Sequence, residues 1–180
     1  MMYVLAFDRD WTVDVNPHPR RDAVPLEWVR YWAHETDHEV WAIGNQDLVE
    51  EADIPGTEES IRQRDGHTDS LGDQDQYGYY EWWPEREERP QILAELFLGA
   101  QKYIVVDDLD LGHVEGWEHY HAWDFVEHVQ NAELGLSVPS SSDLLPDGGC
   151  ESGDAVRDVL ADGYVFELPH RTDGEPKTTW

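Results

Sequence analysis

Four aspartates stand at the ends of apolar runs: Asp8 and Asp10 follow Tyr3 to Phe7, and Asp107 and Asp108 follow Lys102 to Val106. Runs of this length suit buried strands better than helices. In open parallel sheets ligands sit at the carboxyl ends of strands, which is where these acids fall. If the two strands are neighbours, the carboxylates converge on one point, and like charges so close call for a cation. Hard oxygen donors suit magnesium. The spacing of Asp8 and Asp10 also matters, because alternate residues of an extended segment point the same way and set two carboxylates on one side of a reacting centre.

The elements that must position these acids follow from the hydrophobic pattern. A polar loop over residues 13 to 24, with Asn16-Pro17-His18-Pro19 and Arg20-Arg21, precedes a helix from Pro25 to His34, whose apolar positions recur at helical spacing. A second strand, Val40 to Ile43, closes on Gly44-Asn45-Gln46. Short helices near 47 to 52 and 58 to 64 are followed by a polar loop to Gln76 and by the aromatic stretch Tyr77 to Pro84, read as a strand with a turn or as a surface patch. After Arg89-Pro90 a helix carries Ile92, Leu93, Leu96 and Phe97, with Gly99 where a stop is expected. Beyond the strand ending at Val106, a strand near Glu118 to His121 leads into a helix from Trp123 to Val129. Alternating strands and helices predict an α/β fold, a Rossmann-like parallel sheet with helices on both faces. The reading places a core at residues 1 to 131, a small insert at 47 to 88 and a C-terminal extension at 132 to 180. Within the extension, Asp154 to Leu160 reads as helix and Tyr164 to Phe166 as strand.

Composition bounds the partners. Lys plus Arg number 12 against 40 Asp plus Glu, a net charge of −28. Such a surface repels phosphate polymers and anionic membranes at moderate salt. Yet 9 Trp, 8 Tyr and 39% hydrophobic residues contradict disorder. Acids spread along the chain, with Lys102 and Lys177 the only lysines, resemble the adaptation of extreme halophiles that keep molar salt in the cytoplasm. Cys150 is the only cysteine, so no internal disulfide or cysteine zinc cluster forms, and a reducing compartment is expected. The opening apolar run is too short for a signal peptide, and no stretch approaches the roughly 20 apolar residues of a membrane span. The expectation is a soluble, cytoplasmic protein.

Phe7-Asp8-Arg9-Asp10-Trp11-Thr12 resembles the first motif, DxDx(T/V), of the haloacid dehalogenase (HAD) superfamily. The resemblance implies a phosphohydrolase with Asp8 as the nucleophile that becomes an aspartyl phosphate. It makes Asp10 the general acid/base, with its main-chain carbonyl toward the metal, and Thr12 a fixing residue of the substrate loop. The second motif, a Thr or Ser ending the second strand, is met by Ile43-Gly44-Asn45-Gln46, with Gly44 where the hydroxyl belongs; Gly44 and Asn45 are then the phosphate-binding counterparts. The third, a basic residue at a helix start, is assigned to Arg89-Pro90, with Arg86 and Lys102 as rivals. The fourth, an apolar strand ending in paired acids, is Ile104 to Asp108. Asp8, Asp10, Asp107 and Asp108 would hold Mg2+. The short spaces at 13 to 38 and 47 to 88 imply a small or absent cap and an open site. Such a site suits a large substrate, a small one covered by another subunit, or one gripped by the aromatic stretch near Tyr77 to Trp83; a small phosphorylated substrate is the expected partner.

A non-catalytic HAD-like interaction or regulatory protein is the alternative, motivated by Gly44 and the uncertain basic residue. A polynucleotide-end phosphatase ranks lower, because the chain has no basic stripe. A response-regulator receiver and a glycosyltransferase DxD are set aside on motif order. His119 and His121 are a weak His-x-His metal pair. Arg20 and Arg21 are candidates for a substrate phosphate. Trp11 and the Trp82-Trp83 pair read as packing at least as well as ligand platforms, and Asp110 as surface.

Overall fold

Strand β1 (Tyr3–Phe7) is buried along its whole length, so both its faces must be covered. The computed structural model describes residues 1–140 and shows how. β1 pairs in parallel with β2 (Glu39–Ala42) on one side and β3 (Lys102–Val106) on the other, and β4 (Glu118–Tyr120) adds to β3. The sheet order is β2-β1-β3-β4. Side chains alternate between the faces. Leu5, Phe7, Val40, Ala42, Ile104 and Val106 enter one core, and Val4, Ala6, Trp41, Ile43 and Val105 enter the other. This is the parallel α/β architecture expected from the sequence.

The first face is covered by α1 (Leu26–His34) and α5 (Ala122–Gln130), which bring Val29, Trp32, Phe125, Val126 and Val129 to it. Phe7 stacks on Trp32 at 6.1 Å and meets Phe125 edge-on at 5.8 Å. Burying side chains of this size contributes about 1.5–3 kcal/mol each. The start of α1 is satisfied by Asp14, whose Oδ1 accepts from the Leu26 amide at 2.9 Å. On the second face, α4 (Glu88–Leu96) supplies Leu93, and Leu111, Val114 and Trp117 complete the layer. Helices therefore lie on both faces.

Residues 47–88 form α2 (Asp47–Ala52), α3 (Thr57–Asp65), a single 3-10 turn at Asp69–Leu71 and an irregular segment. Ile61 and Leu71 meet Ile92 of α4 in a satellite core joined by Tyr80 and Trp83. The aromatic stretch is not a strand: only one bridge, Gln74 to Tyr80, forms. Asp75 Oδ1 accepts from the amides of Tyr77 and Tyr79, with Gly78 at φ 87° completing the turn. Tyr77, Tyr79 and Trp82 are left exposed.

Two expected limits move. α4 stops at Leu96 rather than near Gly99, because Phe97 leaves helical geometry to pack against Trp41 at 5.7 Å. The core also continues past residue 131: Leu134 and Leu136 are buried in the first face, and Ser137 carbonyl accepts from Trp32 Nε1 at 2.6 Å. The helix and strand expected at 154–160 and 164–166, and Cys150, lie outside the described residues. Among the described residues, no helix is long and apolar enough to cross a membrane.

Candidate functional site

The chain passes from β1 to β2 on one side and then returns to place β3 on the other, so the strand order reverses between β1 and β3 while all strands stay parallel. Such a switch opens a crevice at the carboxyl ends of the two strands. Phe7 pairs with Val106, which sets Asp8 and Asp107 side by side at that crevice. The ladder continues through both residues, with Asp8 N donating to Val106 O at 3.0 Å and Asp107 N to Tyr120 O at 3.2 Å. Their positions are fixed by sheet backbone. Asp8 is 3% exposed and Asp107 is fully buried. Asp108 is half-buried, and oxygens of all three carboxylates lie within 4.8 Å of one another.

Among the described residues, Arg86 alone forms ion pairs with Asp8 and Asp107, and Arg89 acts on them at longer range. Arg86 Nη1 lies 3.1 Å from Asp8 Oδ1 and 2.8 Å from Asp107 Oδ2. Burial raises the Asp8 carboxyl above its ordinary value, against the lowering effect of Arg86. Burial, and then the neighbouring Asp8, push Asp107 from 3.8 up to about 7. Both carboxyls stay raised despite the guanidinium, so the pair is under-compensated, and oxygen ligands short of positive charge are what a hard divalent ion binds.

Asp10 stands apart from that trio. Its side chain accepts from Asn16 Nδ2 at 2.8 Å, Arg9 Nη1 at 2.8 Å and Asn45 Nδ2 at 2.9 Å. The Asn16 bond leads the effects that hold its carboxyl below the usual range. Asp10 is thus kept as a carboxylate. Thr12 is fully buried, and its hydroxyl donates to the Asp10 carbonyl at 3.4 Å. It braces the loop and does not face solvent. Trp11, next to Asp10, adopts a left-handed φ of 59° that gives the loop its bend.

Asn45 joins the two acids: its backbone N donates to Asp8 Oδ1 at 3.1 Å while its amide reaches Asp10. Gln46 fixes this loop by donating to Gly44 O at 2.7 Å and accepting from Thr57 N at 2.9 Å. Gly44 has a steric cause. A Cβ at this position would lie 1.5 Å from Asp8 Oδ1 and 2.7 Å from Arg86 Nη1. No other residue fits while Asp8 holds this rotamer.

The structure brings Arg86, and not Arg89, to the acids. Arg89 donates to the carbonyls of Ile43 at 2.6 Å and Pro84 at 2.9 Å, which ties the end of β2 to the start of α4. Lys102 begins β3, at the opposite end of the sheet from Asp107, and pairs with Glu118 at 3.8 Å. His119 Nε2 and His121 Nδ1 both lie near the Asp107 carbonyl, at 3.1 and 3.2 Å. They buttress Asp107 from the edge strand. Sequence reasoning missed Asn16, Gln46 and these histidine contacts as supports of the acids. The polar Gly44-Asn45-Gln46 turn at a strand end was the available signal for Gln46.

A cavity of about 820 Å³ beside Gly44 and Asn45 is also lined by Tyr79, Tyr80, Trp83 and Arg89. A second, of about 720 Å³, borders α3 and α4, and neither cavity is lined by Asp8, Asp10, Asp107 or Asp108. Comparison with family models, with curated proteins and with solved structures finds no match to this chain.

Proposed function

We propose that the protein is a magnesium-dependent phosphohydrolase of the HAD type, working through an aspartyl phosphate on Asp8. The observation that carries this reading is the convergence of Asp8, Asp107 and Asp108 with Arg86 at the β1/β3 crevice, in the motif order that the sequence resemblance requires. Asp8, Asp107 and Asp108 would hold the ion. When bound, it would offset charge on the transferring phosphoryl group, as Arg86 does from its own side.

In the first step an Asp8 carboxylate oxygen attacks phosphorus, and the bond from phosphorus to the leaving oxygen breaks. In the second, water attacks the same phosphorus, its proton passes to Asp10, and the bond to Asp8 breaks to return the carboxylate. Arg86 positions Asp8 and steadies the developing charge; Asn45 holds Asp8 and Asp10 in mutual register. Three hydrogen-bond donors keep Asp10 ionised, which favours its role as base in the second step over its role as acid in the first. Esters whose leaving oxygen departs without a proton, such as aryl phosphates, are therefore the better substrates. Gly44, the departure from the family pattern that favoured a non-catalytic reading, has the local steric cause given above.

Phosphate release from p-nitrophenyl phosphate, in molar KCl with and without magnesium, tests the proposal on wild type, Asp8→Asn and Asp10→Asn. Turnover that needs magnesium and is lost in Asp8→Asn is expected. Equal activity in wild type and Asp8→Asn sinks it.

A further inference from the structure

The chain carries few cations, and the structure uses nearly all of its described arginines internally. Arg9, Arg62, Arg64 and Arg86 pair with carboxylates, and Arg30 and Arg89 donate to main-chain carbonyls. Arg20 and Arg21 are different. Both are exposed, and neither guanidinium meets a carboxylate or a carbonyl among the described residues. In a chain with 40 acids, two adjacent arginines without an ion pair among the described residues are the exception, although Asp22 borders them. Together with His18, Pro19, Asp22 and Trp123 they line a cavity of about 660 Å³.

This cavity is fastened to the acid site from two sides. Arg21 lies over the Trp123 ring at 4.0 Å, Trp123 stacks on His121 at 4.6 Å, and His121 reaches the Asp107 carbonyl. On the other side, His18 meets the Trp11 ring at 5.5 Å, directly after Asp10, and Asn16 of the same loop holds Asp10. The Trp123 stack holds the Arg21 side chain over a ring before any ligand arrives, which lowers the entropy lost on binding. A planar guanidinium so placed offers paired donors to a phosphate or carboxylate.

We propose that the cavity formed by Arg20, Arg21 and Trp123 binds a second anionic group of the substrate, so that the preferred substrate is a small phosphoester carrying a further phosphate or carboxylate. The inference rests on the phosphohydrolase reading for the position of the reacting phosphoryl group. Its test is a binding measurement that does not depend on turnover.

Calorimetric titration in molar KCl with magnesium compares short alkanediol bisphosphates with the matching alkyl monophosphates, on wild type, Arg20→Gln/Arg21→Gln and Arg20→Lys/Arg21→Lys. Wild type is expected to bind the best-fitting bisphosphate at least about tenfold more tightly than its monophosphate, the level of one good charge-assisted contact. The glutamine pair abolishes that preference and the lysine pair keeps part of it. Both arginines are exposed, so the variants should match wild type in circular dichroism. Equal affinity for mono- and bisphosphates, no binding of either, or a preference that survives the glutamine pair overturns the inference. A preference lost in the glutamine pair, without any ester hydrolysis, leaves the anion site standing and removes the phosphatase reading. Hydrolysis of p-nitrophenyl phosphate without a bisphosphate preference does the reverse.

Discussion

Replacing Asp107 by Asn should make the metal-free protein more stable at alkaline pH. Asp107 is fully buried, and burial with Asp8 beside it moves its carboxyl from 3.8 to about 7. Because the folded value lies above the unfolded one, the native state holds more protons between these limits, and stability falls as pH rises through that window. At 1.36 kcal/mol per factor of ten, holding Asp107 ionised at pH 8 costs on the order of 4 kcal/mol, the smaller part of which is already felt at pH 5. Asn fills the same space without the charge, and its Oδ1 can still accept from the Leu109 amide, the 2.9 Å contact of Asp107 Oδ1. Part of the gain is lost with the Arg86 contact at 2.8 Å, so about 4 kcal/mol is an upper bound. Guanidinium unfolding at pH 5 and pH 8, in fixed salt and without divalent ions, reads the difference between variant and wild type and cancels other titrating groups. The advantage of Asp107→Asn should grow by up to about 3 kcal/mol between those pH values. A variant less stable than wild type at pH 8, or an advantage that is the same at both pH values, refutes the electrostatic account. Magnesium at pH 8 should raise the stability of wild type by mass action and leave the variant unmoved.

Other perturbations separate neighbouring roles. Gly44→Ser, although it restores the family's usual hydroxyl, should displace Asp8, cost about 1–3 kcal/mol by overpacking and weaken magnesium binding in a calorimetric titration; unchanged affinity would show that the Asp8 rotamer is not fixed by Gly44. Arg86→Gln should raise the Asp8 and Asp107 carboxyls further and move the acid limb of the magnesium-binding pH profile upward, because a lowering influence is removed. Arg89→Gln removes a charge that also acts on Asp8 and Asp107 but makes no bond to them, so it should move that profile less than Arg86→Gln and lower stability by about 1–3 kcal/mol through the lost carbonyl contacts. Trp32→Ala, at the centre of the ring cluster with Phe7 and Phe125, should cost about 3–5 kcal/mol in chemical denaturation.

The centre of the sheet was legible because β1 and most of β2 and β3 are apolar runs, unlike the polar edge strand β4, and period-2 alternation explains why Phe7 and Val106 face one core while Ala6 and Val105 face the other. The juxtaposition of Asp8 and Asp107 followed from the same runs, since the acids begin where the apolar residues stop. The basic partner was not legible from helix position alone. Arg89 sits on α4, where a helix-start rule puts the site's cation, yet its reach is spent on two carbonyls, while Arg86 approaches from the irregular segment before the helix. Nothing in local periodicity encodes that choice; it depends on how residues 84–88 turn. The aromatic stretch failed as a strand for a similar reason. Asp75 captures two amides that a ladder would need, and only Tyr80 and Trp83 find a core to enter. Gly44 looked like a lost hydroxyl until the position of the Asp8 carboxylate gave it a steric role.

The central claim is that Asp8 carries the phosphoryl group. Acid quench of wild type during turnover of an aryl phosphate, followed by borohydride reduction and peptide mass spectrometry, reads this directly, because an acyl phosphate is reduced to the alcohol and a free carboxylate is not. The account predicts the reduced residue at position 8 only, present with substrate and magnesium and absent without either. Reduction at another carboxylate, or sustained turnover with residue 8 unmodified, contradicts it.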